Sequence, residues 1–316
     1  MRGMDVRFGI GIPQGSAVAG EPALLRRFLG RVGSLGFESA WVLEQPIGRA
    51  PTLEPLQLLA FAAAVTDRIR LGTAVILAPL RVPVELAKAL ATLDHLSGGR
   101  LIVGLGLGGQ AERYPAFGLA AEGRARRFDE TVRLLLRLWT ESAVTDEGAF
   151  WQLRDVTVSP SPVQQPHPPI WLGGSAEPAL RRAARVGDGW IGAGSSTTAS
   201  FVDGVAVVRD ELAELGRPAD RFAIAKRVYV TVDDDVDRAL ARLQAWFGGF
   251  YGDAALAGRV AVWGPPVAVA EGIAAVMEAG AGTVIVNPID EHEAQAARLA
   301  AEVLPQLGWS AVSEGG

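Results

Sequence analysis

The sequence contains no cysteine in its 316 residues, which excludes disulfides, thiolate metal sites and cysteine nucleophiles. Histidine is almost as scarce: there are three, His95, His167 and His292. None has a partner at metal-ligand spacing, so no metal is expected, and each is read as structural or superficial. Basic clusters are also missing. The net charge is −5, and nothing in it offers the electrostatic footprint of a nucleic-acid surface. No window reaches the roughly 18 consecutive apolar residues of a membrane span, and the opening "MRGMDVRFGIGIP" lacks the unbroken apolar stretch of a signal peptide. The expectation is a soluble cytoplasmic protein. A chain so poor in nucleophiles and metal ligands is expected to take its chemistry from an organic cofactor.

Glycine and proline are plentiful. The 38 glycines and 19 prolines are spread along a chain that is 49% hydrophobic, enough for a large core in a single domain over 1–316. Apolar runs at 6–13, 39–44, 69–77, 101–106, 169–174, 188–194, 222–232 and 282–288 alternate with stretches such as "PLQLLAFAAAVTD" and "PVELAKALATLDHL", whose apolar residues recur at three- and four-residue spacing. Runs without strict alternation suit parallel strands buried on both faces. Eight β–α units in one domain predict an α/β fold, a (β/α)8 TIM barrel. Pro83 and Pro265–Pro266 stand where helices start, and "SGGR" (97–100) where one stops. Insertions are expected at the C-terminal face over about 107–123, 143–165 (a small hairpin) and 234–262 (an extra helix). Pocket selectivity is placed in loops 46–52, 107–123 and 246–262.

"GRLIVGLGLGGQ" fits G-x-G-x-x-G at Gly104, Gly106 and Gly109. A dinucleotide turn needs a helix directly after the glycines and an acidic residue about 20 positions on, at the next strand end. Here "QAERYPAFGLAAEGR" is broken by Pro115 and Gly118, and Asp129 and Glu130 fall inside a helical pattern. The motif is therefore read as the end of a fourth strand, stripped of side chains so that a flat ring or a phosphate can approach the backbone. "WLGGSAEPAL" and "WIGAGSST" finish in the same way, with Ser175 as the expected cap of the following helix.

The run "PTLEPLQLLAFAAAVTDRIRLGTAVILAPLRVPVELAKALATLDHLSGGRLIVGLGLGG", followed by "RARRFDETVRLLLRLW" and "SPSPVQQPHPPIWLGGSAEPALRRAARVGDGWIGAG", resembles the luciferase-like flavin-dependent oxidoreductases, in order from about residue 6 to 304. The resemblance implies a (β/α)8 barrel, usually a homodimer, that holds the deazaflavin F-420, or alternatively FMN, at its C-terminal mouth and acts on a small molecule. It places Thr73, Ala74 and Val75 beside the cofactor ring, on a bulge that in deazaflavin members often contains a non-proline cis peptide. Gly106 and Gly108 would border the cofactor, Gly173, Gly174 and Ser175 would hold ring or phosphate, and Gly194, Ser195 and Ser196 would form the next loop.

The departures from the family carry equal weight. Many relatives end their second strand in Asp-His or Glu-His, whereas this chain reads "VLEQP", with Gln45 in the place of histidine. Glutamine hydrogen-bonds but is no base near neutral pH. Gly109 stands where sugar-phosphate-oxidising members keep a glutamate, and Leu107 where the luciferases grip phosphate with arginine. Glu44 and Gln45 remain as catalytic candidates, with a salt bridge or helix cap as the alternative for Glu44. Period-two alternation sends either Lys226 or Arg227 inward, where a buried cation needs an anion. Arg81 is expected near the same mouth, and Trp190 and Trp263 either in the core or against a ring. Three functions stay open. F-420-dependent hydride transfer is favoured over an FMN-dependent monooxygenase or reductase, and over a non-catalytic flavin-binding relative.

Overall fold

The computed structural model describes residues 6–15, 18–48, 50–109 and 111–309. Eight parallel strands close on themselves: β1 (Arg7–Gly11), β2 (Ser39–Val42), β3 (Arg70–Thr73), β4 (Leu101–Gly106), β5 (Ile170–Gly173), β6 (Gly189–Gly192), β7 (Ala223–Val232) and β8 (Thr283–Pro288). Closure is made where β8 pairs with both β7 and β1, Thr283 standing opposite Ala225 and Arg7. Each strand lies within a run read from the sequence. Helices α1 (Pro22–Ser34), α2 (Pro55–Val65), α3 (Pro83–Leu96), α4 (Arg124–Thr140), α5 (Glu177–Val186) and α6 (Thr198–Glu214) follow the first six strands. Helices α7 (Val236–Tyr251) and α8 (Pro266–Glu278) follow β7, and α9 (His292–Arg298) follows β8.

Alternation along the strands sorts their residues into two sets. Inward-facing Trp41, Ile102, Trp171, Ile191, Ala225 and Ile285 fill the barrel, with Trp41 stacked on Trp171 at 5.3 Å between ring centres. The intervening residues, such as Phe8, Ile10, Val42, Leu71, Val103 and Val228, pack under the helices. Pro83 and Pro266 begin α3 and α8 as expected, where a missing N–H costs nothing.

A 3-10 turn occupies Ala111–Phe117, an antiparallel hairpin Val144–Glu147 and Gln152–Val156, and α7 the long excursion after β7. One strand was not anticipated. Because β7 is ten residues long, Val230–Val232 runs beyond the rim and pairs with Val262–Gly264, which tethers the excursion beside the mouth. Among the described residues no helix is long and apolar enough to cross a membrane.

Candidate active site

Three hollows of about 290, 450 and 380 Å³ open at the C-terminal ends of the strands, and Ala74 and Arg227 stand in the wall of all three. Their floor is made by a break in the third strand. β3 stops at Thr73, the Ala74–Val75 peptide is cis, and the chain resumes pairing at Ile76 and Leu77 against Leu105 and Gly106. The bulge with a non-proline cis peptide that the resemblance implied is therefore present. It is tied to β2 on both sides: Ala74 N–H donates to Val42 O at 2.7 Å, and Glu44 N–H to Val75 O at 3.3 Å.

The glycines serve this bulge differently from the reading above. A Cβ placed on Gly106 would lie 2.4 Å from Val75 Cγ2, and one on Gly173 2.9 Å from Val75 Cγ1. One on Gly194 would lie 2.7 Å from the Tyr229 ring. The bare strand ends thus admit the protein's own side chains, and Val75, not open backbone, becomes the floor.

Ala74, Val75, Gly106, Gly108, Gly173, Gly174, Ser175, Gly194 and Ser195 all line one hollow. Glu44 and Gln45 line the next, with Val75, Gly108 and Ser195. Thr73 and Ser196 line none of the three. Thr73 is fully buried, its Oγ donating to Gly104 O and accepting from Gly104 N–H, both at 2.8 Å. Ser175 does not cap α5. That position falls to Ala176, and Pro178 then occupies the first turn.

Glu44 is firmly held. Its carboxylate accepts from Leu77 N–H at 2.5 Å and from Arg81 Nε at 3.2 Å, and it also pairs with the Arg81 terminal nitrogen. Arg81 reaches Glu54 as well, at 2.7 Å. Burial works against the Arg81 charge, but Glu44 and Glu54 outweigh it and its pKa is raised. Gln45 Oε1 accepts from Thr52 Oγ at 3.3 Å.

Alternation resolves the two β7 cations. Ala225 is interior, so Arg227 points inward and Lys226 outward. Arg227 donates from Nε to Asn287 Oδ1 (3.1 Å), from one terminal nitrogen to Ala74 O (3.3 Å) and from the other to Tyr229 OH (2.9 Å). Neither cation is ion-paired among the described residues. Lys226 Nζ donates instead to Ala193 O, Ser196 O (2.8 Å) and Ser196 Oγ (2.9 Å), beneath the loop after β6.

Burial, and then the neighbouring Arg227, push the Lys226 ammonium down from 10.5 to about 7. Between those values the unfolded chain keeps a proton that the folded chain has lost, so stability rises with pH across that window. Lys226→Met should abolish the rise. In urea unfolding at pH 7 and pH 10, wild type gains on the variant with a slope of at most about 1.4 kcal/mol per pH unit. Parallel curves would mean that the folded protein keeps the Lys226 proton.

Trp190 and Trp263 line none of the three hollows. Trp190 is buried, stacked on Phe201 at 5.1 Å, with Nε1–H donating to Gly174 O at 2.9 Å, while Trp263 packs beside α7. His95 and His167 bond the carbonyls of Ser161 (2.8 Å) and Pro168 (2.9 Å). His292 departs from expectation and lines the smallest of the three hollows. Trp246 and Phe250 of α7 also reach that wall, stacked at 4.6 Å. The aromatic run "WFGGFY" was the available signal for α7. His292 had no signal, because its placement depends on how the chain turns after β8.

The model of the family described as luciferase-like monooxygenase matches residues 6–259. An F-420-dependent glucose-6-phosphate dehydrogenase of Kineococcus radiotolerans is 34% identical over 71% of this chain and 68% of its own. An FMNH2-dependent dimethylsulfone monooxygenase of Pseudomonas putida is 33% identical over 57% of this chain, a match that spans about half (49%) of that enzyme. The fold of an F-420-dependent secondary alcohol dehydrogenase superposes with a TM-score of 0.83 at 17% identity, covering 95% of this chain and 98% of the other. The barrel, the bulge and these matches agree: the chain belongs to the luciferase-like monooxygenase family and is an oxidoreductase of the flavin and deazaflavin type.

Proposed function

We propose that this oxidoreductase uses F-420 and moves hydride between the deazaflavin and a small organic substrate. The observation that carries the reading is the bulged Ala74–Val75 floor, where the third strand breaks off and resumes, shared by two of the hollows. Val75 and Ala74 would support the ring, and Gly173, Gly174, Ser175, Gly194 and Ser195 would receive the rest of the cofactor. Gly174 is confined to glycine by its backbone (φ +154) and by Ala179, whose Cβ would lie 2.7 Å from a Cβ placed there. Leu107 in this wall offers no charge to a flavin phosphate, and the fixed cations of the wall are Arg182, paired with Asp129, and Arg227. When bound, F-420 supplies a hydride donor or acceptor at its C5 atom. The chain's own part is a water-poor floor, Gln45 as a hydrogen-bonding group beside it, and Glu44 acting through Arg81 and the Leu77 amide rather than as a base. Homodimerisation belongs to the same reading.

An FMN-dependent monooxygenase is the second reading, prompted by the 33% identity to the dimethylsulfone enzyme. Titration of the purified protein with F-420, FMN and reduced FMN separates the two. Micromolar binding of F-420 with weaker FMN is expected, whereas FMN binding with none of F-420 would replace the first reading by the second.

A further inference from the structure

We infer that the hollow on the β1, β2 and β8 side of the mouth receives the substrate, and that the substrate is a compact, largely apolar molecule with a single oxyanion head, a carboxylate or its sulfonate equivalent. This rests on the cofactor reading above, which gives the glycine-lined hollow to F-420. The walls are apolar, including Ile12, Pro13, Trp41, Leu43, Trp246 and Phe250, and the volume is about 290 Å³. Among the described residues that line it there is no aspartate, glutamate or lysine, and Arg227 contributes the only fixed charge.

That charge is incompletely used. Arginine has five N–H groups in a planar fork. The bonds to Asn287, Ala74 and Tyr229 occupy three, leaving one N–H on each terminal nitrogen among the described residues. A guanidinium with an unused N–H on each terminal nitrogen is a donor for a carboxylate, and a buried guanidinium without an anion is costly until one arrives.

A second polar group shares this wall, its ring edge-on to Phe28 at 6.3 Å between this hollow and a neighbouring one. Nδ1 of His292 is buried without a hydrogen-bond partner, and the residue lies in this wall. Burial lowers its pKa, against the opposing pull of Asp290 and the Pro288 carbonyl, so the ring is neutral near pH 7. It offers a hydrogen bond and no second charge. One fixed cation beside a neutral imidazole matches a monoanion with a further polar group, and a sugar phosphate, doubly charged and hydroxylated, suits neither the charge nor the walls.

The test is calorimetric titration of the F-420-loaded protein with octanoate, 1-octanol, octylamine and glucose 6-phosphate. Octanoate should bind at least tenfold more tightly than octanol, and the other two should be weaker still. Arg227→Met should reduce octanoate to the level of octanol, and Arg227→Lys, which keeps the charge but loses the fork, should fall between. Phe250→Ala, a wall change remote from the charge, should weaken octanoate and octanol by a similar factor. Circular dichroism shows that each variant is folded. Equal binding of octanoate and octanol, no octanoate binding, or an octanoate preference that survives Arg227→Met would each overturn the inference. If F-420 itself does not bind, the same titrations on the cofactor-free protein still rank octanoate against octanol. Failure of the cofactor reading and failure of the substrate class are therefore separate results.

Discussion

Gly104→Ala is expected to destabilise the protein by at least about 3 kcal/mol, the upper end of what overpacking a core costs. Its new methyl group would lie 1.7 Å from the Thr73 carbonyl oxygen, 2.8 Å from the carbonyl carbon and 3.0 Å from Ile191 Cδ1. The carbonyl has little freedom to retreat. Thr73 Oγ clamps both the N–H and the C=O of Gly104 at 2.8 Å, and the very next peptide, Ala74–Val75, belongs to the bulge. Gly109→Ala is the matched control, because a Cβ there meets nothing within 4 Å, and it should change stability by no more than about 0.5 kcal/mol. Urea unfolding of the two variants measures the contrast. A dinucleotide turn would require the outermost glycine of "GLGLGG" as strictly as the innermost. A barrel strand requires the innermost, which faces the neighbouring backbone, and leaves the outermost in open space. Equal losses from the two substitutions would count against the strand reading.

How far the sequence discloses such contacts depends on their range. The eight strands were legible because each is an apolar run buried on both faces, a property that the run itself carries. Individual side-chain directions were only half legible. Alternation demanded that one of Lys226 and Arg227 point inward, but choosing between them needs the register of Ala225 inside the barrel. The mouth glycines were visible without their reason. Nothing local to Gly106 or Gly173 says that Val75, from another strand, occupies the space each leaves. His292 was illegible for a similar cause. It enters the mouth wall through a turn in which Glu291 takes φ +41, a conformation uncommon for a residue with a side chain.

Glu44 is where the catalytic and structural readings make opposite forecasts. Glu44→Gln should destabilise by about 2–3 kcal/mol, the range for breaking charged hydrogen bonds to a largely buried carboxylate. The side chain is 5% exposed and Arg81 26%, so solvent does little to replace what is lost. A glutamine cannot accept from Leu77 N–H and the Arg81 fork at once without turning its own N–H2 toward one of them. Leu77 directly follows Ile76, where the chain re-enters the sheet after the bulge, so loosening its amide loosens the Val75 floor. The expected consequence is a Kd for F-420 raised at least tenfold, measured with the stability loss on one preparation. Glu54→Gln is the control. Glu54 is 39% exposed and leaves Arg81 paired with Glu44, and although its other oxygen caps α2 by accepting from Gln57 N–H at 2.8 Å, a glutamine keeps that acceptor, so its loss should cost no more than about 1 kcal/mol, as for an exposed pair. A general base would behave in the opposite way. Its amide variant would fold and bind F-420 as wild type does and lose turnover alone, and that pattern would return Glu44 to the chemistry. The geometry argues against it, because the carboxylate oxygens are already engaged by the Leu77 amide and the Arg81 fork, which hold the bulge.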